Sequence, residues 1–194
     1  MSFFLFFVNN NNVFLYFVLL FDIFLQISTF ICGILSSQKE EKVINIMYEI
    51  NLSTLVLIGL DNNSTKVITT DGDFIVKDNC KRIVDDSCRF FGSSLLDRVN
   101  ATKRLVKMST KTPIVIEDTR NIIFFPLKST RDKINIWVSF NNLDTYQKNG
   151  DHTLLIFKSG RTVELPYSYY IVDNQVTRSI ILDYESHIRR KSLE

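Results

Sequence analysis

The segment His152–Leu165, HTLLIFKSGRTVEL, constrains the fold of this chain more than any other stretch. His152 to Phe157 and Thr162 to Leu165 are extended runs rich in apolar and β-branched residues. Ser159-Gly160 between them supplies the residue types that tight turns favour, so the two runs fold back on each other as an antiparallel hairpin. A second hairpin is expected from Lys66 to Thr70 and Asp73 to Lys77, joined through Asp71-Gly72, one of the commonest turn dipeptides. Both commit the chain to a largely antiparallel sheet.

Further strands are expected at Tyr48-Glu49-Ile50-Asn51 and at Thr54 to Leu60, with Asp61-Asn62-Asn63-Ser64 as the turn that follows. Thr112 to Ile116, Ile122 to Phe125 and Ile134 to Phe140 are also strand-like, and Pro113 and Pro126 mark edges or ends. Between these groups the period changes. After the N-cap candidates Asp78 and Asn79, the residues Cys80, Ile83, Val84, Cys88 and Phe91 form the stripe of a helix buried on one face, and Gly92 can stop it. Ser93 or Ser94 can cap a second helix starting at Leu95-Leu96, with Asp97 as the acidic partner of a capping box. A last helix follows Ser168, where Val172, Val176, Ile180, Tyr184 and Ile188 recur every four residues. Arg189, Arg190 and Lys191 lie at its negative end. The expected class is α+β: mostly antiparallel strands with a central helical pair and a C-terminal helix.

Residues 47–194 read as one domain, and the 45% apolar content of the chain is enough to bury a core. Residues 1–46 are different. Val13 to Ile34 has about the length of a membrane span, but Asp22 and Gln26 sit in its middle and no basic residue precedes Lys39, which argues against a secretory signal. Phe, Leu, Ile and Asn supply 26 of these 46 residues, the composition of an AT-rich leader read through. Translation is therefore expected to start at Met47, with a membrane anchor as the alternative.

The net charge of +2 conceals a regional imbalance. Residues 81–131 hold eleven Lys and Arg against five Asp and Glu; residues 47–80 hold two against five, and residues 132–194 balance at eight each. A basic middle suits a polyanionic partner, although a solvated basic face is the commoner origin of a charge run. The three cysteines, Cys32, Cys80 and Cys88, form neither a disulfide framework nor a zinc ladder, which fits reduced thiols and a cytoplasmic location. Phosphate-loop, dinucleotide and His-Glu-x-x-His patterns do not occur, so no cofactor, metal or small-molecule substrate is implied. His152 and His187 are expected at the surface. Cys88 falls on the apolar stripe, and the adjacent Asp85 and Asp86 point apart on a helix. An enzyme is the weaker class.

The cationic middle is the informative part. Arg98, Lys103, Arg104, Lys107, Lys111 and Arg131 are the candidate DNA contacts, with Ser93, Ser94, Thr102, Ser109, Thr110, Ser129 and Thr130 interspersed to hydrogen-bond phosphates. Phe90, Phe91, Phe124, Phe125 and Trp137 are expected in the core rather than as base-stacking platforms.

These residues carry a resemblance. Ser87-Cys88-Arg89-Phe90-Phe91-Gly92-Ser93-Ser94 is its most specific stretch. It is preceded by Tyr48-Glu49-Ile50-Asn51 and followed in order by Arg98, Thr102, Lys111-Thr112-Pro113-Ile114-Val115-Ile116, Phe124-Phe125-Pro126, Ser129-Thr130-Arg131 and Trp137. Phe157-Lys158-Ser159-Gly160, Glu164-Leu165-Pro166, Ser168-Tyr169 and Asn174-Gln175 complete it. The set resembles the ComK family of competence transcription factors. The resemblance implies an oligomeric activator of DNA-uptake genes that binds paired A/T-rich boxes of double-stranded DNA, chiefly through the minor groove. It also implies a proteolytic adaptor as a second partner. This chain departs from the family pattern at Asp97-Arg98-Val99, where Gly-Arg-Lys is usual. Thr110-Lys111 stands in place of His-Lys, Phe140-Asn141-Asn142 in place of a histidine-bearing segment, and the chain stops at Glu194 where a longer tail is common. Such departures keep open a protein-interaction module or paralogue deficient in DNA binding, and a membrane-tethered form is the alternative if residues 13–34 are translated and inserted.

Overall fold

The computed structural model describes residues 42–44 and 47–192. Among these residues ten strands form two sheets. The larger has the order β1-β4-β3-β2-β7-β6-β5, built from β1 (Lys42–Ile44), β2 (Thr54–Gly59), β3 (Thr65–Thr69), β4 (Asp73–Val76), β5 (Ile114–Glu117), β6 (Ile122–Pro126) and β7 (Ile136–Ser139). The smaller has the order β10-β9-β8, from β8 (Leu143–Asn149), β9 (His152–Phe157) and β10 (Thr162–Leu165). Three helices among the described residues accompany them: α1 (Cys80–Phe90), α2 (Leu95–Val106) and α3 (Tyr169–Lys191). Every strand pair is antiparallel except β1 with β4. The fold is α+β, as the alternation of periods implies. The expectations for residues 1–46, a read-through leader or an anchor, lie outside the described residues apart from β1. Among the described residues no helix is long and apolar enough to cross a membrane.

The larger sheet is covered on both faces, which explains why its central strands are apolar without alternation. Leu57, Val67, Phe124 and Trp137 point to a core shared with Ile83, Val84 and Cys88 of α1 and with Leu95 and Val99 of α2. Val56, Ile68, Phe125 and Val138, one position along each strand, point to a second core with Leu155 and Phe157 of β9, Leu165 of β10, and Val172 and Val176 of α3. The period of two thus divides one sheet between two cores. Trp137, Phe124 and Phe125 are fully buried, Phe91 is half-buried, and Phe90 is exposed, edge-on to Phe91 at 5.0 Å. The core expectation fails for Phe90 because α1 ends there and its stripe faces the other way.

Local signals placed the helices well. Asn79 caps α1, its side chain accepting from the Arg82 N–H, and Gly92 ends the run at φ 84°, a value that favours glycine. Ser94 and Asp97 form the full capping box of α2. Strand expectations fail twice. Tyr48 to Asn51 is not a strand: the Ile50 N–H donates to the Ser87 hydroxyl at 3.0 Å, and Asn51 folds a turn onto Ser53. Conversely β8, LDTYQKN, is a strand that the sequence hides, because five of its seven residues are exposed and only Leu143 and Tyr146 meet the second core. On α3 the four-residue spacing rotates about 40° per step, so Val172 and Val176 are buried while Ile180, Tyr184 and Ile188 emerge on the outer side. Ser168 occupies the N-cap without a side-chain capping bond.

Candidate nucleic-acid interface

Three of the six expected cations share one cleft. Lys103 from the last turn of α2, Lys111 from the loop before β5, and Arg131 from the loop between β6 and β7 line a depression of about 330 Å³ together with Ser109, Thr110, Thr112, Ser129 and Thr130. No carboxylate lines it. Among the described residues none of Lys103, Lys111 and Arg131 has an acidic group within ion-pair distance. Thr112, 1% exposed, has no hydrogen-bond partner for its hydroxyl oxygen. A buried hydroxyl without a partner costs free energy, so a ligand that bonds to it gains that energy on binding. Positive charge, hydroxyl donors and no competing anion make the cleft an acceptor for phosphate oxygens.

Both walls are held by specific bonds. The first is the loop from Lys107 to Lys111, whose two end residues adopt left-handed backbone at φ 54° and φ 46°. Non-glycine residues in that region are strained, and here the strain falls on two cations. Arg178 of α3 fastens this loop by donating to the Thr110 carbonyl at 2.6 Å. The second wall is fastened by Asn135, whose side chain accepts from the Lys128 N–H at 2.9 Å and donates to the Ser129 carbonyl at 2.8 Å. Asn135 and Arg178 were not among the expected functional residues. An asparagine flanked by isoleucines, Ile134 and Ile136, is the only sequence signal for the first, and nothing local marks the second.

The other three cations lie elsewhere. Arg104 and Lys107 are exposed on the end of α2 and do not line the cleft. Arg98 faces a different cavity of about 300 Å³, with Ala101, Leu105, Val115 and Leu182 on its apolar side. Its guanidinium binds Asp118 at 2.5 Å and the Phe91 carbonyl at 3.3 Å, and its side chain is only 13% exposed. That charge is already neutralised.

The cysteines and the carboxylates of α1 are tied into the scaffold. Burial pushes the Cys80 thiol up to about 11 and the Cys88 thiol up to about 12, the Arg98 charge only partly opposing the rise at Cys88. Asp85 accepts from Arg89 and from the Leu95 N–H, joining α1 to α2, while Asp86 faces Arg82. His152 and His187 are exposed beside Glu164 and Asp183.

A family model described as ComK protein matches residues 45–191. The chain belongs to the ComK family. A relative, the "Competence transcription factor" of Bacillus subtilis (strain 168), is 36% identical over 148 residues, covering 74% of this chain and 76% of the relative. No solved structure matches. The family match takes in both walls of the cleft and all six candidate cations.

Proposed function

We propose that this ComK-family chain is a transcription regulator of competence that binds A/T-rich double-stranded DNA, and that the Lys103–Lys111–Arg131 cleft is its principal phosphate seat. The observation that carries the reading is the joint one: three unpaired cations and five hydroxyl side chains around one cleft with no carboxylate. The name of the Bacillus subtilis relative, a competence transcription factor, supports the regulatory part.

The cleft cations stand on loops and a helix end, which is not the arrangement of a helix reading base edges from the major groove. Narrow, strongly negative minor grooves of A-tracts attract arginine and lysine presented in this way, and sequence then acts through groove width and deformability. The domain spanning residues 47–194 is the DNA-binding unit in this proposal, and it acts in the cytoplasm as an oligomer on paired boxes. Fluorescence anisotropy on A/T-box and G/C-rich duplexes of equal length tests the reading. Tighter binding to the A/T duplex, weakening with salt, is expected; equal affinity for both duplexes would refute the specificity.

A further inference from the structure

A second depression adjoins the cleft and shares Thr110 and Lys111 with it. Its volume is about 290 Å³, and Tyr170, Ile171, Asn174, Gln175 and Arg178 complete its lining. Two features there have no structural use. Tyr170 is 77% exposed, held edge-on at 5.9 Å by Tyr169, which in turn tilts over Tyr146 at 5.3 Å. Gln175 is 2% exposed and its Oε1 has no hydrogen-bond partner. A flat ring at the mouth and an unsatisfied amide at the base match the two faces of a nucleobase: a π-surface to stack on and an edge to hydrogen-bond. The neighbouring cleft supplies a phosphate site across Lys111.

We propose that the Tyr170–Gln175 groove takes an unpaired nucleobase whose own phosphate lies in the adjoining cleft, so that the two depressions together hold one nucleotide unit. The proposal rests on the phosphate reading of the cleft. A paired A·T step presents only acceptors in its minor groove and cannot satisfy Gln175 Oε1. Any base freed from its partner carries a donor beside an acceptor on its Watson–Crick edge, which an amide can match. Because Gln175 is buried, the base has to project into the groove to reach it. The nucleotide comes either from a DNA strand that extrudes one residue or from free nucleotide in solution.

The test uses the full chain and a duplex carrying one unpaired 2-aminopurine, whose fluorescence falls when it stacks, beside the fully paired duplex. The unpaired base is expected to raise affinity about tenfold and to be quenched on binding. Tyr170→Ala, a change at an exposed position, is expected to abolish both effects while leaving paired-duplex affinity unchanged, and Gln175→Leu to weaken the preference. Adenosine monophosphate at millimolar concentration separates the sources. Calorimetric binding of the monophosphate that Tyr170→Ala removes, with unpaired and paired duplexes bound equally, assigns the groove to free nucleotide; no monophosphate binding, with the unpaired duplex preferred, assigns it to DNA. An unquenched probe without a response to the monophosphate overturns the nucleobase site, as does a Tyr170→Ala variant that behaves as wild type. If paired-duplex binding still depends on the cleft cations, that failure leaves the phosphate cleft standing.

Discussion

The side-chain amide of Asn135 donates to the Ser129 carbonyl at 2.8 Å while its oxygen accepts from the Lys128 N–H at 2.9 Å, and Asn135 itself is 1% exposed. One buried side chain thus closes the loop that carries Arg131. Its backbone carbonyl also accepts from the Gly59 N–H and the Cys80 thiol, which ties the loop to β2 and to the start of α1. Gly59 is needed for this approach, since a Cβ there would come within 3.0 Å of the Asn135 nitrogen.

Replacing Asn135 by alanine is therefore expected to lower stability by about 1–3 kcal/mol, the cost of leaving buried backbone groups without partners. DNA affinity should fall with it, because Arg131 loses its fixed position. Urea unfolding and anisotropy on the same preparation measure both. A stable variant with unchanged affinity would show that this loop is not held as described.

Lys111→Gly separates charge from strain. At φ 46° glycine is unstrained, so stability is expected to be unchanged or raised by up to about 1 kcal/mol. Removal of one phosphate-binding cation should reduce the slope of log affinity against log salt by about 0.9. Thermal unfolding and a salt titration give the two values.

Arg98 gives the contrasting case. Its guanidinium is bound to Asp118 and the Phe91 carbonyl, away from the cleft. Arg98→Gln is expected to change the salt slope by less than one phosphate's share, while Lys103→Gln and Arg131→Gln each lower it by about 0.9. A decrease at Arg98 equal to that at Arg131 would show that the Asp118 pair opens on DNA.

The two buried thiols make a pH prediction. Both are raised from an ordinary 9.0, to about 11 at Cys80 and about 12 at Cys88, so the unfolded chain loses these protons first. Their contribution to stability is complete below pH 9 and is lost as pH rises through the interval up to about 11–12. The slope is at most about 1.4 kcal/mol per pH unit for each thiol. Comparing urea unfolding of wild type and of Cys80→Ala/Cys88→Ala at about pH 8 and about pH 10, on either side of the ordinary thiol value, isolates this component. Native thiols should also resist alkylation at the lower pH.

Much of the architecture was legible from short-range chemistry: the Ser159-Gly160 hairpin, the Asn79 and Ser94 caps, and Gly92 as a stop are all decided within a few residues. What escaped depends on distant partners. β8 is a strand because β9 pairs with it, not because its residues seek burial, and Tyr48 to Asn51 is not one because Ser87 takes the Ile50 N–H. The same holds for the site. Charge density marked the middle of the chain, but it could not distinguish Arg98, cancelled by an aspartate twenty residues away, from Lys111 and Arg131, brought together by Arg178 and Asn135. Composition counts charges, whereas the fold decides which remain unpaired.

The most direct test of the phosphate cleft is the salt dependence of A/T-duplex binding by the Lys103→Gln/Lys111→Gln/Arg131→Gln protein against wild type. Neutralising all three cations at once should lower the slope by about 2.7 while the unfolding transition stays cooperative. A triple variant that binds with the wild-type slope would contradict the cleft as the phosphate seat.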